Sequence, residues 1–308
     1  MVAVVVIVSI MFVCIMFSIA PDTFPKHMVV SIPKGMYLSQ AARILHTNGI
    51  IKSEFIFKVY AVLTSGHRQI QSGDYLFDKP ESALRIAYRT THGVQNLPKI
   101  SVTLYEGMTV KDMGIQIKKN IPDFDNITFY NIAKSSEGYL FPDTYFFYEN
   151  VTPQQVFDLL TSNFDRKIKS ISVELKSFGK SISDIVTMAS LVEREATSSL
   201  DRRLIAGVLW NRISIDMPLQ VDPPFYYLFG KGSLELTLKD LATDSPYNLY
   251  KHKGLTPTPI NNPGLSAILD TVNPTKSNYL FFLSDSHGVM HYAATNDGHV
   301  ANKIKYLQ

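Results

Sequence analysis

One cysteine, Cys14, is all the thiol chemistry this chain of 308 residues possesses. A lone thiol inside an apolar run forms no intramolecular disulfide, excludes thiol catalysis and carries no information on redox compartment. Other signatures are missing too. There is no H-E-x-x-H, Ser190 lacks the G-x-S-x-G elbow of serine hydrolases, and Gly230-Lys231-Gly232-Ser233 lacks the spacing of a phosphate loop. The eight histidines are scattered, and the close pair His287 and His291 straddles an expected turn instead of one helical face. No metal and no cofactor is therefore expected. The 30 basic and 27 acidic side chains leave a net charge of +3 with no long basic run, so nucleic-acid binding is not indicated.

What is present is ordinary for a folded protein: 45% hydrophobic and 19% charged residues, with 16 Gly, 16 Pro and 16 Tyr marking many turns and aromatic surfaces. Val2 to Ala20 contains no charged side chain. At ~1.5 Å rise per residue such a run just covers the ~30 Å bilayer core, so an uncleaved membrane anchor over residues 1–20 is expected. A cleaved signal peptide is the second choice: Ser18-Ile19-Ala20 resembles a small-x-small site, but no charged segment precedes the run and Pro21 follows it.

The remainder reads as α+β. Ser31-Ile32-Pro33-Lys34-Gly35-Met36 recurs as Thr103-Leu104-Tyr105-Glu106-Gly107-Met108, an offset of 72, each followed by apolar positions at helical spacing. Each copy predicts strand, glycine turn, helix, giving a small α+β domain over 28–122. Residues 123–308 predict a second, mixed α+β domain: a helical layer from Val156 to Ile168, Ile182 to Thr197 and Asp201 to Arg212, then Pro-, Gly- and Tyr-punctuated loops. A C-terminal hairpin follows, of Tyr279 to Leu283 and Val289 to Ala294.

Within that layer Glu193 and Glu195 interrupt an apolar helix. Met188, Leu191, Val192 and Glu195 fall at i, i+3, i+4 and i+7, which turns Glu195 toward the interior face. Burial raises a carboxyl pKa, and a proton held near neutral pH is what a general acid donates. The bland alternative is a surface helix whose carboxylates pair with Arg194, Arg202 or Arg203.

Several further motifs occur in order: Glu137-Gly-Tyr-Leu-Phe-Pro-Asp-Thr-Tyr145, Ala189-Ser-Leu-Val-Glu-Arg-Glu195, Trp210-Asn-Arg212 followed by Met217-Pro-Leu-Gln-Val-Asp-Pro223, and Ser245-Pro-Tyr-Asn-Leu-Tyr250 with Gly254-Leu255 and Asn262-Pro-Gly264. Together they resemble the YceG-like family of membrane-anchored endolytic murein transglycosylases over nearly the whole chain. The resemblance implies a LysM-like first domain and a transglycosylase second domain. It further implies cleavage of the β-1,4 bond between N-acetylmuramic acid and N-acetylglucosamine in nascent peptidoglycan, with 1,6-anhydromuramoyl ends, and Glu195 as the catalytic acid and base. Glycan polymerases of the elongation or division machinery are the implied partners, and the implied location is the bacterial cytoplasmic membrane, single-pass, with the catalytic domain outside.

Glu193, Asn211, Gln220, Asp222, Tyr247 and Asn248 are the candidate surround of Glu195; Glu137 and Asp143, with Tyr145, are candidates for bracing the wall of the cleft. Each has a structural alternative: Asn211 closing a helix, Asp222 forming a turn before Pro223-Pro224, the tyrosines packing. The chain departs from the family pattern at Val221 and Pro224, where relatives carry hydroxyls, and at Gly254-Leu-Thr-Pro-Thr-Pro-Ile260. Two rival functions remain: a non-catalytic peptidoglycan-binding scaffold, and a hydrolytic muramidase in which Asp222 or Glu193 activates water.

Overall fold

The computed structural model describes residues 16–65 and 70–307. The chain divides into two compact units, Met1–Pro98 and Lys99–Gln308.

In the first unit β1 (Met28–Ile32) pairs antiparallel with β2 (Gly73–Phe77), Val30 opposite Tyr75. The alternation of the strands turns Val30, Ile32, Tyr75 and Phe77 inward. Helices α1 (Leu38–Thr47), α2 (Glu54–Ser65) and α3 (Ala83–His92) complete the unit. Helix α1 buries Leu38, Ala41, Ala42 and Leu45, the positions a 3.6-residue period assigns to one face. From α3 the buried Arg89 pairs with Glu81 at 3.1 Å and donates to the carbonyls of Leu76, Val94 and Gln95.

The second unit opens with β3 (Lys99–Thr103), α4 (Val110–Asn120) and α5 (Asn126–Ala133), and β3 pairs antiparallel with β4 (Thr144–Tyr148). Both copies of the internal repeat therefore form strand, glycine turn and helix, with Gly35 at φ 81° and Gly107 at φ 76°. They belong to different units, however. Residues 99–122, grouped above with the first domain, join the second through the pairing of Val102 with Tyr145 and the packing of α4 on α5.

Next come α6 (Pro153–Ser170), α7 (Ser172–Phe178), α8 (Ile182–Glu195) and α9 (Ser199–Ser214), then α10 (Pro223–Phe229) and α11 (Leu265–Val272). The hairpin β5 (Phe281–Ser284) and β6 (Met290–Ala293) and the helix α12 (Asn296–Tyr306) close the chain. Helix α8 is the axis of this unit, with Ile185 through Val192 buried in succession. It packs on α9, α10 and α11. A buried ion pair, Arg202 to Asp270 at 2.8 Å, ties α9 to α11. This is the mixed α+β class expected, with the C-terminal hairpin in place.

The membrane location expected from the sequence is corrected. Among the described residues no helix is long and apolar enough to cross a membrane, and residues 1–15 of the 1–20 segment lie outside the described residues. A charge-free run is only a length and polarity criterion, and the described structure supplies no spanning helix to meet it.

Gly138, at φ 90°, lets the loop before β4 pass Pro259, where an added Cβ would sit 2.5 Å from the ring carbons. Gly138→Ala is expected to lower stability by about 2–3 kcal/mol through overpacking and left-handed strain, read as a shift in the denaturant midpoint.

Candidate active site

Residues two apart on a helix point about 200° away from each other, so the last turn of α8 sends its two carboxylates in different directions. Glu195 lines a cleft of about 560 Å³ together with Arg212 of α9, Gln220 and Asp222 of the following loop, Tyr250 and His299. Burial pushes the Glu195 carboxyl up to about 8, and the negative charge of Asp222 adds to the effect. At neutral pH the cleft thus holds a protonated carboxyl near a second carboxylate.

Asp222 sits at the N-cap of α10 but makes no side-chain capping bond. Its Oδ1 accepts instead from the Tyr250 hydroxyl at 2.7 Å. Burial and that hydrogen bond to Asp222 raise the Tyr250 phenol, which stays a donor. Gln220 adopts φ 49°, a left-handed backbone that is strained for a residue with a Cβ, and its N–H donates to the Leu249 carbonyl at 3.0 Å. Such strain at a cleft wall is typical of a functional loop.

Arg212 is 6% exposed. It donates to the carbonyls of Leu219 (2.6 Å), Pro218 (3.2 Å) and Leu280 (2.6 Å) and lies over the Phe281 ring. One guanidinium therefore fixes both the 218–222 loop and β5. Among the described residues no three His, Cys, Asp or Glu side chains converge to hold a metal.

The motifs match the model of the YceG-like family across residues 30–305. The chain belongs to the YceG-like family. It is 34% identical over 305 residues to the endolytic murein transglycosylase of Bacillus subtilis (strain 168), covering 90% of this chain and 84% of the relative. The endolytic murein transglycosylase of Streptococcus pneumoniae (strain D39) is 29% identical, over 92% of this chain and 59% of the relative's length. The crystal structure of a yceG-like protein from Listeria monocytogenes matches with a TM-score of 0.61 at 29% identity, over 90% of this chain and 99% of that one.

In this YceG-like chain the other expected residues do not line the cleft. Glu193 accepts from the N–H of Gly264, the N-cap of α11, at 2.8 Å; burial and the nearby Glu106 raise its pKa, the Gly264 bond opposing them. Asn211 donates to the carbonyls of Ser277 (2.9 Å) and Tyr279 (3.1 Å), which ties α9 to the segment leading into the hairpin and leaves its amide outside the cleft lining. The fully buried Asn248 donates to Leu241 and Thr243 carbonyls and accepts from the Tyr250 N–H. It therefore holds the residue that holds Asp222. Tyr247 bonds Thr258 at 2.8 Å and packs beside Tyr227, away from Glu195.

Glu137 is 5% exposed and accepts from the Val110 N–H at the start of α4 and from Asn262. Burial pushes it up to about 8 against those hydrogen bonds. Asn262 in turn donates to the Met108 carbonyl and accepts from Gly138 and Leu140 N–H, so one buried amide clips three loops together. Asp143 accepts from Asn163, which also donates to the Tyr145 hydroxyl, and pairs with Lys167 at 3.7 Å.

Three expected residues thus meet in one cleft: Glu195, Gln220 and Asp222. Arg212, Tyr250, His299 and Lys303 line it as well and were not singled out from sequence. Arg212 and Tyr250 stood inside quoted motifs, and Asn296, His299 and Lys303 follow helical spacing, but nothing local distinguished them from structural residues.

Proposed function

We propose that this chain is an endolytic lytic transglycosylase of peptidoglycan, cleaving the β-1,4 bond between N-acetylmuramic acid and N-acetylglucosamine. The observation that carries the reading is the placement of Glu195 in a cleft that Asp222 also lines, with burial raising the Glu195 carboxyl; the names of the family relatives supply the substrate. The Glu195 proton passes to the departing glycosidic oxygen as the C1–O bond breaks. The resulting carboxylate then takes the proton of the muramoyl C6 hydroxyl as that oxygen bonds to C1, closing the 1,6-anhydro ring. Attack from within the same sugar has a high effective molarity and makes a water-activating base unnecessary. Asp222, held by Tyr250, stabilises the positive charge of the oxocarbenium-like transition state. On the same reading the first unit is a LysM-like module that holds glycan, and the enzymes that polymerise the strand are its partners.

A second reading is favoured by the same pair of carboxylates: Asp222 as base on water, giving a hydrolytic muramidase. Digestion of uncrosslinked peptidoglycan by the full chain, followed by mass spectrometry, separates the two by the mass of one water. Anhydromuramoyl ends are the expected result; hydrated reducing ends that disappear in Asp222→Asn would establish hydrolysis instead. Binding without cleavage would return the scaffold.

A further inference from the structure

The cleft carries more positive charge than a neutral glycan needs. With Glu195 protonated, its charged side chains are Asp222 on one side and Arg212 and Lys303 on the other. Neither cation enters an ion pair among the described residues. Arg212 spends its Nε and Nη1 donors on backbone carbonyls, but Lys303 is exposed and has no comparable structural task.

Lys303 stands on α12 one turn beyond His299, and the two, with Asn296, share one helical face, the face that lines the cleft. The His299 ring stacks on Phe281, its centroid 5.2 Å away. Its Nδ1 is buried without a hydrogen-bond partner. A buried unpaired N–H is costlier than an unpaired lone pair, so the proton of the neutral ring resides on Nε2. Burial, then the charges of Lys303 and Arg212, lower the His299 pKa and keep the ring neutral. Helix α12 therefore offers one cation and one neutral donor on a face that buries no residue in the core.

In peptide-bearing murein the lactyl carboxyl of each muramoyl residue is held as an amide, so the glycan backbone is uncharged and the anionic groups are the carboxylates of the peptides carried on alternate sugars. We propose that the His299–Lys303 face of α12 is a specificity site that recognises those stem-peptide carboxylates, so that the cleft prefers strands whose stem carboxylates are free to strands in which they are blocked. The proposal rests on the transglycosylase reading of the same cleft.

The test compares kcat/KM of the full chain on uncrosslinked strands with stem peptides intact and on the same strands with the stem carboxylates converted to methylamides, since stripping the peptide with an amidase would uncover a lactyl carboxylate on every muramoyl residue. Wild type is expected to favour the strand with free stem carboxylates, with a preference that shrinks as salt is raised. Lys303→Gln is expected to reduce the ratio roughly fivefold, as for one partly screened charge pair. Lys303→Arg restores it. Lys305→Gln, on the same helix but outside the cleft lining, leaves the ratio as in wild type. An active enzyme whose ratio is the same in wild type and Lys303→Gln overturns the specificity site while leaving the function intact. A wild type that cleaves neither strand overturns the function, and the specificity site falls with it.

Discussion

Glu195→Gln is expected to lose at least ~10³-fold in kcat with little change in KM, because the amide keeps the shape of the side chain and removes the only protonated carboxyl of the cleft. The wild-type pH profile carries the same signature. With the acid at about 8, kcat/KM is expected to hold through neutrality and to fall tenfold per unit above pH ~8. Stability moves the opposite way. A carboxyl raised from 4.5 to about 8 by folding binds more protons in the native state than in the unfolded one throughout that window. Wild type therefore loses stability as pH climbs from 4.5 to 8. Glu195→Gln escapes this loss and is expected to be more stable than wild type by about 2–4 kcal/mol at pH 7, with the gap closing by pH 4. An inactive variant that is also less stable at pH 7 would mark Glu195 as a structural residue.

That a dead variant should be the sturdier one explains how Glu195 was legible from the sequence at all. Helical phase carried Met188, Leu191 and Val192 into the core, all 0% exposed, and the same phase turned Glu195 inward. A carboxyl at such a position is destabilising, so it marks chemistry more clearly than its neighbours do. Helix α8 and both repeat units were readable for the same reason: each repeats an apolar period over enough residues to fix its face.

Asn211 shows where such reading stops. An amide at a helix end looks the same whether it meets sugar or backbone, and only the fold brings the carbonyls of Ser277 and Tyr279 to it. Helix α12 buries no residue, so it has no apolar stripe to announce it; its polar stripe acquires meaning from the cleft it borders. The reach of the second unit is beyond such reading on similar grounds, since β3 chooses its partner β4 across some forty residues and no local pattern encodes that choice. Asp222 resolved in favour of the cleft because Tyr250 holds its carboxylate while its capping role stays unused.

Glu137 was expected to brace the cleft, and its substitutions separate bracing from chemistry. Glu137→Ala removes the acceptor for the Val110 N–H, at 3.0 and 3.2 Å, and for the Asn262 amide, at 2.8 Å. Two buried donors are left unpaired, at a cost of roughly 3 kcal/mol or more and a fall in Tm on the order of 10 °C. Asn262 also fixes Met108, Gly138 and Leu140, so activity is expected to drop in parallel with local order. Glu137→Gln is different. With burial holding the carboxyl at about 8, wild type is mostly protonated at pH 7. The amide replaces a neutral acid of the same shape, retains an acceptor for these donors and is expected to stay within about 1 kcal/mol of wild type at pH 4, where the carboxyl is protonated in the folded and the unfolded chain alike. Here too wild type loses stability between pH 4.5 and 8 as the native carboxyl lags behind the unfolded one, so Glu137→Gln gains on wild type across that window. It should keep kcat within a few-fold, in contrast to Glu195→Gln. A Glu137→Gln enzyme that melts at pH 4 like wild type yet has lost activity at pH 7 as completely as Glu195→Gln would move Glu137 from the frame of the site into its chemistry.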